Sequence, residues 1–258
     1  MTDSKFIKGA VPIELTGIGD LLKSMKECWP RLFLHSANVA NLCMRICTFL
    51  RLDEVEREIL IAGALCHDVG KMLISRDIID KPGPLTEEEW VQLKEHSWRG
   101  ASLIAERGGD WSLVEMIRYH HERWDGKGYE GLRGQRIPWP ARVIALADAL
   151  DAMISLRPYR LPLKMYEALE EVYQGAGSQF DPKLVAALAE EPFWQIATYR
   201  DPGRLERQID EEKQWLAQLV DSYFTLSHPL VCAQSQWLDR LLVLFRQFKG
   251  HAAGRADR

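Results

Sequence analysis

Between residues 36 and 52 apolar side chains recur at Val39, Leu42, Cys43, Ile46, Phe49 and Leu50. Steps of three and four keep such positions on one side of an α-helix, so the stretch must bury that stripe against other elements. The same period dominates the rest of the chain, and few segments alternate as a strand would. Asp53 precedes EVEREILIAGALCHD, whose acidic first turn suits a helix N-terminus. Thr86 and Glu89 have the spacing of a capping box for a helix running to about residue 106. Gly108 and Gly109 then break the pattern, Ser112 is a candidate cap, and the next helix ends near His120 and His121. Glycines and prolines over residues 122–140 predict a loop. Residues 142–155 predict an apolar helix interrupted by Asp148 and Asp151, carboxylates three apart that need partners if buried. Further helices are predicted over residues 163–174 and from Asp181-Pro182, a cap followed by proline, with a new segment opening at Asp201-Pro202. The expected fold is all-α.

At 258 residues the chain can bury one sizeable core, and 47% apolar with 27% charged residues is ordinary globular usage. A net charge of −4 provides no global positive field for a nucleic acid polymer or an acidic membrane, so an anionic ligand must be held by a local cluster. MTDSKFIKGAVPIEL lacks the apolar run of a signal peptide, and no 18-residue apolar stretch occurs, which predicts a cytoplasmic protein. Five cysteines, without a CxxC pair, predict buried free thiols. Beyond residue 203, Leu205, Ile209, Leu216, Leu219 and Tyr223 form one stripe, and Trp237, Leu241, Leu244 and Phe248 another. They predict a C-terminal helical hairpin, suited equally to packing on the main domain, to a homodimer or to a signalling partner.

The chemistry concentrates in HDVGK at 67–71 and HHERWDGKGYEG at 120–131. Of seven histidines, His35, His67, His96, His120 and His121 lie at ends or flanks of helices alongside carboxylates. One histidine on a helix is ordinarily structural; five together point to a metal. Mixed imidazole and carboxylate donors suit Fe, Mn, Ni or Zn, whereas Mg and Ca prefer oxygen alone. Neighbouring helical residues diverge by about 100°, so His120 and His121 reach one ion only where a helix ends, or approach ions from different directions. Asp68 has two oxygens and can bridge two ions; ions ~4 Å apart activate a water and neutralise a phosphoryl group during in-line displacement.

His35-Ser36, HDVGK, KPGPLTEEEW with His96, HHERWDGKGY, ADALDAMISLRPYR and GSQFDP together resemble the HD-GYP family of bacterial cyclic dinucleotide phosphodiesterases over residues 31–190. The resemblance implies an HD-domain helical bundle over residues 31–195, flanked by an N-terminal extension (1–30) and a C-terminal one (196–258). It implies hydrolysis of cyclic di-GMP to the linear dinucleotide, with GMP as a further product, in second-messenger signalling. Carried over, His35, His67, Asp68 and Asp148 hold one ion, while Asp68 bridges to a second held by His96, His120 and His121. Lys71 resembles the lysine near the scissile phosphate and can protonate the leaving oxygen. Arg157 and Arg160 resemble a phosphate-binding pair, and Tyr129 a substrate contact. Asp151 and Asp125 are expected to order their surroundings rather than bind metal. The family's GYP, a variable residue and GL become Gly128-Tyr129-Glu130-Gly131-Leu132 here, which leaves another cyclic dinucleotide open as substrate. The remaining alternatives are an HD-type nucleotide phosphohydrolase, disfavoured by HHE…DGKGY and RPYR, and a noncatalytic metal-bound signalling module. Members with a third ion use a glutamate one turn before the first histidine, where this chain has Arg31. Two ions are therefore expected, and Arg31→Glu should be needed to raise the count; three ions in the unsubstituted protein, by elemental analysis, would contradict this.

Overall fold

The computed structural model describes residues 16–155, 163, 165–189 and 202–223, with 231, 235, 238, 239 and 242 as isolated positions. Among these residues ten α-helices occur: α1 Thr16–Cys28, α2 Pro30–Leu50, α3 Glu54–Cys66, α4 Arg76–Ile79, α5 Glu87–Glu106, α6 Trp111–Tyr119, α7 Trp139–Ile154, α8 Met165–Gln174, α9 Pro182–Leu188 and α10 Pro202–Tyr223. Two 3-10 turns, Val69–Leu73 and Gly134–Arg136, complete the regular structure. The only strand-like pairing among the described residues is an isolated bridge between Ala176 and Phe180. The chain divides into two compact units, residues 1–189 and 190–258.

In the first unit α2 and α3 pack as a helical hairpin, α5 packs on α6, and α7 lies against α2, α3, α6 and α8. The α7 sequence explains its place: Val143, Ile144, Leu146, Ala147 and Leu150 are fully buried, so more than one face meets protein. Val39, Cys43 and Ile46 of α2, Leu60 of α3, and Leu113, Met116 and Ile117 of α6 fill the same core. Each fully buried aliphatic side chain of this size contributes roughly 1.5–3 kcal/mol of transfer free energy. Gly63 permits the close approach of α3 to α6, because a Cβ there would fall 2.4 Å from Met116 Sδ.

Several boundaries are set by capping. The Asp53 side chain accepts from Glu56 N–H at the start of α3, and Thr86 and Glu89 form the expected capping box of α5. Asp181 caps α9, with Pro182 at its first position. Three expectations are corrected. Asp110, not Ser112, caps α6: its carboxylate accepts from Ser112 N–H, which places Ser112 in the first turn. α2 begins at Pro30 and α7 at Trp139, both earlier than the apolar period suggests, because a proline in the first turn leaves no needed N–H unmade. Cys28 is exposed, although Cys43, Cys47 and Cys66 are buried free thiols; burial pushes Cys47 and Cys66 up to about 12.

In the second unit α10 bears the first of the two C-terminal stripes, with Ile209 buried and Leu216 half-buried. Trp237, Leu241, Leu244 and Phe248 lie outside the described residues, as do Cys232, Arg157 and Arg160. No helix among the described residues is long and apolar enough to cross a membrane.

The 3-10 turn after Asp68 is pressed on α5 through Gly70, where a Cβ would sit 1.9 Å from His96 O and 2.6 Å from Gly100 N. Gly70→Ala is therefore expected to destabilise the unit by about 3 kcal/mol or more, since neither contacting atom is a flexible side-chain end. Thermal unfolding checks this, and a melting temperature within a degree of the unsubstituted protein would contradict it.

Candidate metal centre

Six elements deliver the predicted residues to one place. His35 stands on α2, His67 caps the end of α3, Asp68 opens the following 3-10 turn, His96 lies on α5, and His120 caps the end of α6 with His121 next to it. Asp148 and Asp151 come from α7. The helix end resolves the problem of the adjacent histidines: the rings of His120 and His121 lie 4.0 Å apart, tilted by 43°, and both approach His96.

Four of the five imidazoles are oriented by the outer nitrogen. Nδ1 of His67, His96 and His120 lies 2.7, 2.6 and 2.7 Å from the carbonyl oxygens of Ala64, Leu93 and Ile117. A carbonyl only accepts, so each Nδ1 carries the proton, and in the neutral ring Nε2 is a bare donor atom. His35 Nδ1 donates to Asp151 Oδ2 at 2.7 Å, while Ser155 Oγ donates to the other Asp151 oxygen at 2.8 Å. Asp151 thus orients a candidate ligand, and Asp125 accepts from Lys127 N–H and pairs with Arg123, as the expected ordering roles require.

The inner atoms converge on Asp68, a carboxylate only 1% exposed. Asp68 Oδ2 is 3.5 Å from both His35 Nε2 and His67 Nε2, and Oδ1 is 3.4 Å from His96 Nε2 and 3.9 Å from His120 Nε2. His96 Nε2 lies 3.1 Å from His121 Nε2 and 3.4 Å from His120 Nε2. His35 Nε2 also meets Asp148 Oδ1 at 3.0 Å. Two donor groups result, Asp68 with His96, His120 and His121, and Asp68 with His35 and His67. Within each, the donor atoms lie within 4.8 Å of one another.

Whether these residues fit a metal can be judged from the atoms themselves. His67 Nε2 and Asp68 Oδ1 are buried without a hydrogen-bond partner, although such atoms are costly to leave unpaired. Metal–nitrogen bonds of about 2.1 Å place neighbouring donors roughly 3 Å apart, close to the observed spacing of the three Nε2 atoms. Protons do not suit the group of His96, His120 and His121: burial, with the nearby Lys71 charge, holds His96 near 4, and burial holds His121 near 3. Burial and the neighbouring histidines likewise keep His120 well below the usual range. At His35 burial opposes the charge, but Asp148 and Asp151 outweigh it and lift the group to about 10. Burial would raise Asp68, yet Lys71 and His67 hold it well below the usual carboxylate range, and His35 does the same for Asp148. The cluster therefore presents ionised carboxylates beside the neutral imidazoles of His96, His120 and His121, the donor set of a divalent first-row ion.

Around the cluster, Lys71 Nζ reaches Asp68 Oδ2 at 2.5 Å and remains partly exposed at the mouth. The Tyr129 ring lies 4.6 Å from His121, tilted by 39°, and stands nearly perpendicular to His96 at 6.2 Å. Lys94 Nζ lies 5.5 Å over the same ring. The sequence reading missed Glu122, a buried carboxylate that accepts from Glu130 N–H and Leu132 N–H, each at 2.6 Å. The signal available was a carboxylate directly after a histidine pair and before a glycine-rich loop. It also missed that Glu130 pairs with Arg118, whose Nε donates to Oε1 at 2.8 Å.

A helical fold that gathers five imidazoles and two ionised carboxylates defines a histidine–aspartate metal-site protein. The HD domain family model matches residues 21–184, and the chain belongs to that family, whose phosphohydrolases are metal-dependent. It is 42% identical over 152 residues to a cyclic di-GMP phosphodiesterase of Vibrio cholerae, an alignment covering 55% of this chain and 31% of the relative. It is 35% identical to the 3'3'-cGAMP-specific phosphodiesterase 2 of the same organism, covering 60% of this chain and 30% of the relative. The chain thus spans about a third of the length of these relatives. A solved HDG"Y"P protein from Bdellovibrio bacteriovorus shares the fold with a TM-score of 0.51 at 22% identity, over 61% of this chain and 51% of the other.

Because bare donors face one another, a bound divalent ion should stabilise the fold. Adding Mn²⁺ at about 100 times its Kd to chelator-stripped protein should add roughly 2.7 kcal/mol. Asp68→Asn should remove most of that gain. Differential scanning calorimetry checks both; equal stabilisation of the two proteins would contradict a site centred on Asp68.

Proposed function

We propose that the chain is a metal-dependent phosphodiesterase that hydrolyses cyclic di-GMP to the linear dinucleotide, and further to GMP, in bacterial second-messenger signalling. The observation that carries this reading is the shared position of Asp68 between two donor groups, all of whose imidazoles have Nε2 turned inward. In this reading residues 31–195 form the catalytic domain. His35, His67, Asp68 and Asp148 hold one ion, and Asp68, His96, His120 and His121 the second, with Fe or Mn favoured and Ni or Zn also suited. When bound, such a pair lowers the pKa of a water and offsets charge on a phosphoryl oxygen.

The remaining steps belong to the protein. Asp151 holds the His35 ring so that Nε2 points inward. Lys71, one turn beyond Asp68 and partly exposed, holds a proton for the leaving 3′ oxygen and offers its charge to the phosphodiester. Tyr129 contacts the substrate from above His121. Arg157 and Arg160 act as the phosphate-binding pair in this reading. The relatives' names support a cyclic dinucleotide as the substrate class, and they divide between cyclic di-GMP and cyclic GMP-AMP.

The deciding experiment is anaerobic purification, elemental analysis, and turnover of cyclic di-GMP, cyclic GMP-AMP and a generic phosphodiester. Two ions per chain with cyclic di-GMP cleaved fastest is the expected result. Lys71→Ala should keep both ions and lose roughly 100-fold in kcat, the scale of one general acid. Two bound ions without cleavage of any substrate would overturn the enzymatic reading in favour of a binding module, and faster cyclic GMP-AMP cleavage would reassign the substrate.

A further inference from the structure

Glu122 is 4% exposed, and both its carboxylate oxygens are committed to one loop: Oε1 accepts from Glu130 N–H and Oε2 from Leu132 N–H, each at 2.6 Å. Tyr129 directly precedes this bonded stretch. Its other side is fixed by contact, since a Cβ at Gly128 would fall 2.5 Å from Glu122 Cα and 2.8 Å from His121 O and Arg123 N. Held in this way, the Tyr129 ring rests 4.6 Å from His121. Residue 130 is used twice, its N–H turned in to Glu122 and its carboxylate turned out to Arg118. Further anchors hold the base of the loop, where Trp124 N–H and Asp125 N–H donate to Gln179 O and Ser178 O. These base anchors do not reach residues 129–132, which are held by the two bonds to Glu122 and, through the Glu130 side chain, by Arg118.

We propose that Glu122 is a positioning residue that sets substrate affinity by clamping the backbone that directly follows Tyr129. A carboxylate is the required group: it offers acceptors to two N–H donors at once, and charged acceptors make the stronger bonds. An amide of the same shape offers one acceptor and turns an NH₂ toward the second N–H. The clamp acts on the tyrosine beside the metal centre and leaves the metal ligands alone, so its loss is felt in KM more than in metal content. The kinetic arm of the test rests on the phosphodiesterase reading above; the exchange arm does not.

The experiment compares wild type, Glu122→Gln, Tyr129→Ala and the double variant. In Glu122→Gln, hydrogen exchange across residues 124–133 should quicken while α5 and α6 and the metal content stay as in wild type. KM for cyclic di-GMP should rise roughly tenfold, the scale of one hydrogen bond to a charged group, and by more than kcat falls. In the Tyr129→Ala background Glu122→Gln should add less than about twofold, because the residue acts through that ring. Independent, additive losses, or unchanged exchange over 124–133, would overturn the proposal. If wild type cleaves no cyclic dinucleotide, the enzymatic reading fails while the exchange comparison still decides the clamp. Should Glu122→Gln not fold, Glu130→Pro removes one of the two donors: the Leu132 amide should then exchange faster at unchanged metal content, and an unchanged rate would overturn the proposal.

Discussion

Asp68 is a buried carboxylate ringed by imidazoles whose outer nitrogens are already committed, and the rest of the unit is arranged around that fact. The carbonyls of Ala64 and Ile117 belong to the last turns of α3 and α6, where helix geometry leaves them without intrahelical donors. Histidine placed just past each end satisfies that carbonyl and, in doing so, fixes its own tautomer. The ends of two helices and the inward aim of two Nε2 atoms are thus one structural solution. His35 is aimed the same way by a side-chain acceptor, Asp151 on α7.

Such a centre is costly to bury. An ionised carboxylate withdrawn from water loses several kcal/mol even after relaxation, and at Asp68 the Lys71 charge and His67 outweigh that cost. The apolar framework holds the donors rigidly: α7 is buried on more than one face, and Gly70 lets the 3-10 turn approach the α5 backbone more closely than a Cβ would allow. Rigid packing and metal affinity are therefore linked, because donors fixed by the core lose little freedom when an ion is bound. The substrate side is built differently. Tyr129 sits on a loop rather than a helix, and its position is set by hydrogen bonds to one carboxylate.

This division explains what could be read from the sequence. The metal cluster was legible because its residues carry local signals: HD at a helix end, HH at another, and an aspartate pair in an apolar helix. Capping residues were legible at Asp53, Thr86 and Asp181 for the same reason. Asp110 was not, since Asp110 and Ser112 are both competent caps and only the path of the chain after Gly109 selects between them. Glu122 was hidden because its partners are backbone N–H groups eight and ten residues away, which no side-chain pattern announces. After Gly128-Tyr129, where the family motif has its proline, this chain has Glu130. In the structure the residue gains an N–H that proline lacks and an ion pair with Arg118, so the loop is tethered by other means.

The central claim is that Asp68 is shared by two ions. Anomalous scattering from crystals grown with Mn²⁺ tests it most directly. The account predicts two peaks flanking the Asp68 carboxylate, one beside His35 and His67 and one beside His96, His120 and His121. A single peak, or peaks that do not touch Asp68, would contradict it.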